Sequence, residues 1–165
     1  MQSMMTIRHT TIDDWKTLKE IRLAALLDAP TAFGVSHASA SANSEAQWRE
    51  RAAGGQRVAF FLALMDGVAV GIAGGVLSQA AELNLIAMWV RPEHRGSAAA
   101  AGLVDAVKAH ALAQGHARVV LGVSPDNARA AAFYRKQGFT FLPEWEALDS
   151  HPHIQVQKME WLDAA

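Results

Sequence analysis

Cysteine is absent from the 165-residue sequence, which excludes a disulfide framework, a thiolate nucleophile and a cysteine-ligated zinc site and gives no sign of an oxidising compartment. An excess of charge of either sign is missing too. Fifteen Lys and Arg face 16 Asp and Glu, a net charge of -1, so no overall field draws the chain to nucleic acid or an anionic membrane. No stretch reaches the roughly 20 apolar residues of a membrane span, and the opening MQSMMTIRHT lacks the apolar run of a secretory signal. The expectation is a cytoplasmic protein without membrane or nucleic-acid partners. What is present is apolar: 51% of residues are hydrophobic and 19% charged, a balance that builds a packed core rather than a disordered chain. No repeat or linker divides it, and the Ala/Ser/His tract from Val35 to Asn43 is too short to separate domains. One domain over residues 1–165 is expected.

Met4 to Arg8 is a strand candidate, and Thr11, Asp13 and Asp14 then offer a hydroxyl and two carboxylates that favour a helix start. Trp15, Leu18, Ile21 and Ala25 recur at helical spacing up to Asp28-Ala29-Pro30, where proline disfavours helix in the residue before it. Thr31 to Ser44 reads as loop, and Glu45 to Ala53 as a short helix stopped by Gly54-Gly55. Val58 to Met65 and Val68 to Leu77 flank Asp66-Gly67, a dipeptide suited to a type I′ hairpin turn. Glu82 to Val90 is a third apolar run. An alanine-rich helix follows from about Ser97 to Gln114, with Ala100, Leu103, Val104, Val107 and Ala111 as inner stripe, Asp105 and Lys108 outside it and Gly115 at C′. Ala117 to Val123 is a strand; Ser124-Pro125-Asp126-Asn127 caps a helix from Ala128 to Gln137; Phe139 to Leu142 extends. His153 to Trp161 is a last strand whose alternation breaks between Val156 and Met159, through a bulge or a displaced boundary. The fold class is α/β, a single domain with a mixed, mostly antiparallel sheet of about seven strands flanked by about four helices. The hydrophobic last strand is a candidate to pair across a homodimer.

Two stretches carry chemistry. The strand Leu83 to Val90 runs through Arg95-Gly96-Ser97-Ala98-Ala99-Ala100 into a helix N-terminus, where first-turn N–H groups have no partner within the helix and the macrodipole is positive. Small side chains let an anion come close, although alanine is also favoured for helix propensity alone. In the second stretch Asn127 and Tyr134 are seven residues apart on one helix, nearly two turns, so both point to one side about 10 Å apart. One ligand can touch both, unless Asn127 is only a cap and Tyr134 a core aromatic.

These segments, MWVRPEHRG and VSPDNARAAAFYRKQGF, resemble the GNAT superfamily of acetyl-CoA-dependent N-acetyltransferases, whose loop pattern Q/R-x-x-G-x-G/A falls on Arg95 to Ala100. Element order extends the resemblance over nearly the whole chain, so the expected fold is GNAT-like. The resemblance implies acetyl-CoA as co-substrate, no metal, and an amine of a small molecule or peptide as acceptor. It implies that the backbone of Met88, Trp89 and Val90 lies beside the pantetheine arm, that amides of Arg95, Gly96, Ser97, Ala98, Ala99 and Ala100 hold the diphosphate, that Asn127 contacts the arm, and that Tyr134 lies near the sulfur and protonates the departing thiolate. An N–H of the Met88 to Val90 segment would stabilise charge on the thioester oxygen. The resemblance also implies acceptor contacts from a border running from Asp28 to His37, with Phe33, and from Trp89. Ala98 stands where the family carries glycine, a methyl worth on the order of a kcal/mol of binding, and about 1.4 kcal/mol is tenfold in affinity.

A lysine-like amine, with a pKa near 10.4, must lose a proton before it attacks. Family members that use a glutamate base carry it eleven residues before the loop's first position, which here is Asn84. Glu82 is two residues earlier and on the same strand face, where it acts through a bridging water or is simply solvated. Elsewhere the seven histidines show no HExxH spacing, and His151-Pro152-His153 reads as a polar turn rather than a metal site. Gly71 to Gly75 lies within a strand, where close packing or a bulge explains it better than phosphate binding. The leading reading is an N-acetyltransferase acting on a primary amine; the alternatives are a non-catalytic acyl-CoA-binding or sensing module of the same fold, and an interaction domain without cofactor.

Overall fold

The chain pairs seven strands into one sheet in the order β1-β2-β3-β4-β5-β7-β6, in a computed structural model that describes residues 5–29, 36–55, 57–96, 98–148 and 151–163. The strands are β1 (Met5–His9), β2 (Val58–Met65), β3 (Val68–Leu77), β4 (Leu83–Val90), β5 (Arg118–Val123), β6 (Thr140–Leu148) and β7 (His151–Leu162). The α-helices are α1 (Trp15–Asp28), α2 (His37–Ser41), α3 (Glu45–Ala53), α4 (Ala99–Ala113) and α5 (Ala128–Lys136). All neighbouring strands are antiparallel except β4 and β5.

Alternation along β2 explains the layering. Ala59, Phe61 and Ala63 join a core with Leu103, Val104 and Val107 of α4, while Phe60 and Leu62 join a second core with Leu18, Ile21 and Leu26 of α1 and Trp48 of α3. The sheet is thus covered on both faces, and each fully buried Leu or Val adds about 1.5 to 3 kcal/mol. The β2–β3 turn takes φ +51 at Asp66 and +86 at Gly67, as a type I′ turn requires. At Gly71 and Gly74 the helix and strand neighbours come so close that an added Cβ would sit 2.9 Å from Leu103 Cδ1 and 2.8 Å from Phe60 Cε1. The β3 glycines therefore serve packing; the register shift against β2 leaves Val70 as an extra residue in β3, and the shift against β4 puts the extra residue in β4.

Four expectations change. Five α-helices replace about four, because Ser36 caps the short α2 inside what reads as loop. The inner stripe of α4 begins at Ala99 rather than Ala100, and Lys108 is drawn in to donate to the Gln137 carbonyl across the rings of Phe139 and Trp161. His151-Pro152-His153 is the start of β7, not a turn. The irregularity near the C-terminus belongs to β6, where residues 142–144 fall between the pairs Phe141↔Met159 and Trp145↔Gln157, while β7 keeps continuous register with β5. Because β7 lies between β5 and β6, it is not the edge that subunit pairing across the last strand would need.

Candidate active site

The site begins with a fault in β4. Its register against β3 shifts between Ile72↔Trp89 and Gly74↔Ile86, and Ala87 sits at φ +58, a left-handed conformation that costs an L-residue about 1 to 2 kcal/mol. A one-residue bulge reverses the faces of everything beyond it. Leu83 and Leu85 accordingly face the α4 core, whereas Ala87 and Trp89 face the α1 core and Met88 and Val90 turn toward α4. The parallel ladder to β5 pairs only Leu83↔Val119 and Asn84↔Val120. Past that point a cleft of about 390 Å³ opens between the strands, with Leu85 to Met88 on one wall and Leu121 to Val123 on the other.

Helix α5 closes one side of this cleft with Asn127, Ala130 and Tyr134. The alanine-rich segment is helical by propensity, and Asn127 Oδ1 accepts the Ala130 N–H at 3.2 Å, so Asn127 is a cap and a cleft residue together. The half-buried Tyr134 ring is held edge-on by Phe133 and Phe139, at centroid distances of 5.3 and 5.9 Å. Gly138, at φ +93, lets the chain fold back so that Phe139 buries beneath it. Burial pushes the Tyr134 phenol well above its ordinary pKa. From α1, Arg22 reaches the same cleft; burial first and the charge of Arg51 second pull its guanidinium down to about 10, still protonated at neutral pH.

The loop from β4 to α4 is braced rather than loose. Arg95 donates from Nε to the Val90 carbonyl at 3.1 Å and from Nη2 to Asp28 Oδ2 at 2.7 Å, and Trp89 Nε1 donates to the same Asp28 oxygen at 2.9 Å. The Trp89 bond first and the Arg95 bond second hold the Asp28 carboxyl below its usual range. The Arg95 amide donates to the Pro92 carbonyl at 3.3 Å, so Arg95 positions the loop instead of offering its N–H to an anion. Gly96 has φ +84, and a Cβ there would meet nothing within 4 Å; Ala98, exposed and at ordinary helical φ, is followed by α4.

A second cavity, of about 590 Å³, shares Asn84, Leu121, Gly122 and Glu146 with the first and adds Ser78, Glu82, Glu144, Trp145 and Lys158. Glu82 lies just before β4, where both its carboxylate oxygens take Lys158 Nζ at 2.9 Å and Oε2 takes Arg118 Nη1 at 2.6 Å. Lys158 foremost, then Arg118, lower its pKa. A carboxylate so held is a counter-ion and a poor proton acceptor. The Glu82 side chain remains 27% exposed, so it is a partly solvated counter-ion rather than a free carboxylate. Arg118 also binds Glu160 at 2.7 Å, which makes a four-residue ion-pair network across β5 and β7.

Residues 19–139 match the acetyltransferase (GNAT) family. The chain belongs to this family. An uncharacterized N-acetyltransferase of Mycobacterium tuberculosis is 39% identical over 83 residues, 50% of this chain and 53% of that protein, so the match spans about half the length of these curated relatives. By fold the chain is similar to a putative acetyltransferase from Salmonella typhimurium solved with its cofactor acetyl-CoA, at TM-score 0.74 and 19% identity over 96% of this chain and 94% of that one. It is similar also to an N-acetyltransferase from Thermoplasma acidophilum in complex with coenzyme A, at TM-score 0.67 and 18% identity over 96% and 99%.

On this GNAT frame Met88, Asn127 and Tyr134 meet in one cleft, while Trp89 is buried under α1 with its indole N–H on Asp28 and lines neither cavity. Val90, Gly96, Ala98, Ala99 and Ala100 lie beyond the cleft along β4 and the opening of α4. Ser97 and Phe33 fall outside the described residues. Glu146 lies past Phe139 to Leu142, the extent the sequence predicts for that strand, because β6 runs on to Leu148. Among the described residues no three His, Cys, Asp or Glu side chains group to hold a metal ion.

Proposed function

We propose that the chain is an N-acetyltransferase that moves the acetyl group of acetyl-CoA to a primary amine of a small molecule or peptide by direct attack. The observation that carries this reading is the cleft between β4 and β5, lined by Met88, Asn127 and Tyr134, in a member of the GNAT family. The approach at Gly96 and Ala98 to the first turn of α4 suits a diphosphate, since the helix N-terminus favours negative charge and, among the described residues, nothing lies within 4 Å of a Cβ built on Gly96. Acetyl-CoA, when bound, supplies an electrophilic thioester carbonyl and a thiolate leaving group.

The chain's own groups then divide the work. The β4–β5 ladder stops at Asn84, so backbone groups of Met88 to Val90 on that edge, apart from the Val90 carbonyl taken by Arg95, can pair with an extended amide-bearing arm, as a further strand would. An N–H in this segment can also stabilise charge developing on the carbonyl oxygen. Asn127 uses Oδ1 as the cap, which leaves its Nδ2 hydrogens to donate. Tyr134 remains protonated at neutral pH because burial raises its pKa, and it acts as a hydrogen-bond donor to the departing sulfur. Composition without cysteine supports a cytoplasmic location, and no helix among the described residues is long and apolar enough to cross a membrane.

A non-catalytic acyl-CoA sensor is the second reading, favoured by Asn84 in place of a carboxylate and by the ion pairs that occupy Glu82. Incubation of amines with acetyl-CoA, following free thiol above the no-acceptor background, separates the two. Turnover supports the enzyme; calorimetric binding of acetyl-CoA with no turnover supports the sensor; no heat at millimolar acetyl-CoA refutes both.

A further inference from the structure

With Asn84 unable to take a proton and Glu82 held by Lys158 and Arg118, the cleft needs another acceptor for the proton that an ammonium must lose. Among the described residues lining the β4–β5 cleft, Glu146 is the one carboxylate, and no histidine is present. Glu146 belongs also to the second cavity, so it stands where the space beside Tyr134 meets the space bordered by Trp145 and Lys158. Gly122 of β5 makes room for it: a Cβ built on Gly122 would lie 3.8 Å from Glu146 Oε1 and 3.3 Å from Val156 Cγ2. The carboxylate is thus laid over bare β5 backbone, past the point where β5 leaves β4. Its position follows from the β6 bulge, because residues 142–144 take up the slack before Trp145↔Gln157 and Glu146↔Val156 restore pairing; a one-residue change in that slack would turn Glu146 to the other face.

We propose that Glu146 is the general base of the acetyl transfer, an inference that rests on the acetyltransferase reading above. The amine enters from the cavity bordered by Trp145, an aromatic left 56% exposed. Glu146 first takes one proton from the ammonium, which frees the nitrogen lone pair to form its bond to the acetyl carbon. The nitrogen then loses its second proton to solvent as the carbon–sulfur bond breaks; the sulfur keeps the electron pair under the Tyr134 hydroxyl, and solvent returns a proton to the thiolate and removes the one held by Glu146.

The test measures kcat/KM against pH for thiol release from acetyl-CoA with tyramine, spermidine and a free alanyl tripeptide, together with acceptor-free hydrolysis, in the wild type, Glu146→Gln, Glu146→Asp and, as a control outside both cavities, Glu50→Gln on α3. A positioned base contributes about 10² to 10⁴ in rate. Glu146→Gln is expected to lower kcat/KM by at least tenfold at neutral pH while acetyl-CoA affinity by calorimetry stays within twofold. Its profile should climb about tenfold per pH unit toward the acceptor's own pKa, near 10.4 for a lysine-like amine and about 7.7 to 8.0 for the tripeptide's α-amino group, since only the already neutral amine reacts, whereas the wild type and Glu50→Gln stay flat across neutral pH below those values. Glu146→Asp should recover part of the rate and the flat profile. Wild-type turnover with an unchanged rate and profile in Glu146→Gln overturns the Glu146 assignment alone. A wild type that binds acetyl-CoA but releases no thiol with any acceptor or with water overturns the enzyme reading and Glu146 with it.

Discussion

Replacing Tyr134 by Phe removes one hydroxyl and leaves the ring contacts with Phe133 and Phe139, so it tests chemistry rather than packing. The size of the effect depends on what the hydroxyl does. A thiol has a pKa near 8.5 and a phenol near 10, and burial raises Tyr134 further, so outright proton transfer to the thiolate runs uphill. A hydrogen bond donated to the developing thiolate is the larger effect, and such bonds to charged groups are worth about 1.5 to 3 kcal/mol. At 1.36 kcal/mol per decade this is about a 10- to 150-fold loss of kcat, toward the lower end of what full acid catalysis gives. The assay is thiol release at saturating acetyl-CoA and amine, with calorimetry for acetyl-CoA affinity, which should change less than twofold. Wild-type kcat should show no descending limb from Tyr134 ionisation below about pH 10. Equal kcat in Tyr134→Phe would remove the hydroxyl from the mechanism, and a loss beyond a thousandfold would restore full proton donation.

Gly71→Ala should cost about 1 to 3 kcal/mol by overpacking, because its Cβ would lie 2.9 Å from Leu103 Cδ1 and 3.3 Å from the Trp89 carbonyl, whereas Gly75→Ala, with nearest contacts at 3.7 Å, should change thermal midpoint far less. Asp14 is held at about 2 rather than 3.8 chiefly by the hydrogen bond from Arg8, at most about 2.4 kcal/mol by linkage. Arg8 is 41% exposed, which reduces this to about 1 kcal/mol. Because the folded pKa is depressed, that stability is present above pH 3.8 and lost as pH falls toward 2, so urea midpoints of Asp14→Asn and wild type should differ at pH 7 and converge near pH 2. Gly96→Ala should raise the acetyl-CoA dissociation constant: its φ of +84 strains any Cβ by about 1 to 2 kcal/mol although no neighbour obstructs it, and unchanged affinity would separate the loop's conformation from binding.

Local signals were readable where they were self-contained. The β2–β3 hairpin was legible in full because Asp66-Gly67 fixes the turn and the alternation fixes the faces. Helix α3 was legible because Ser44 and Gln47 form a capping box and Gly54 ends it. The cleft partnership of Asn127 and Tyr134 followed from helical pitch alone. Helix α2 was hidden because only Ala40 of its five residues is buried, leaving no apolar spacing to see. Strand β6 continues through Pro143, which an edge strand with a bulge tolerates and an interior strand does not, and this concealed Glu146. The fate of Glu82 was unreadable for another reason: Arg118 and Lys158 are 36 and 76 residues away, and only the sheet order brings β4, β5 and β7 side by side.

The bulge at Ala87 ties these findings into one mechanical argument. Without it, Trp89 would share the face of Leu83 and Leu85, and β4 would have no reason to part from β5 after Asn84. With it, Met88 turns to the α4 and α5 side while Trp89 turns to α1 and meets Asp28, which also holds Arg95. The left-handed strain at one alanine is therefore offset by burial of an indole and by two hydrogen bonds to a single carboxylate. The same contact fixes the C-terminal end of α1, next to the segment expected to border the acceptor, against the loop that leads to the α4 N-terminus. A displacement of Asp28 would loosen strand, loop and helix end together, so the register of β4, the loop to α4 and the C-terminal end of α1 share one anchor in this fold.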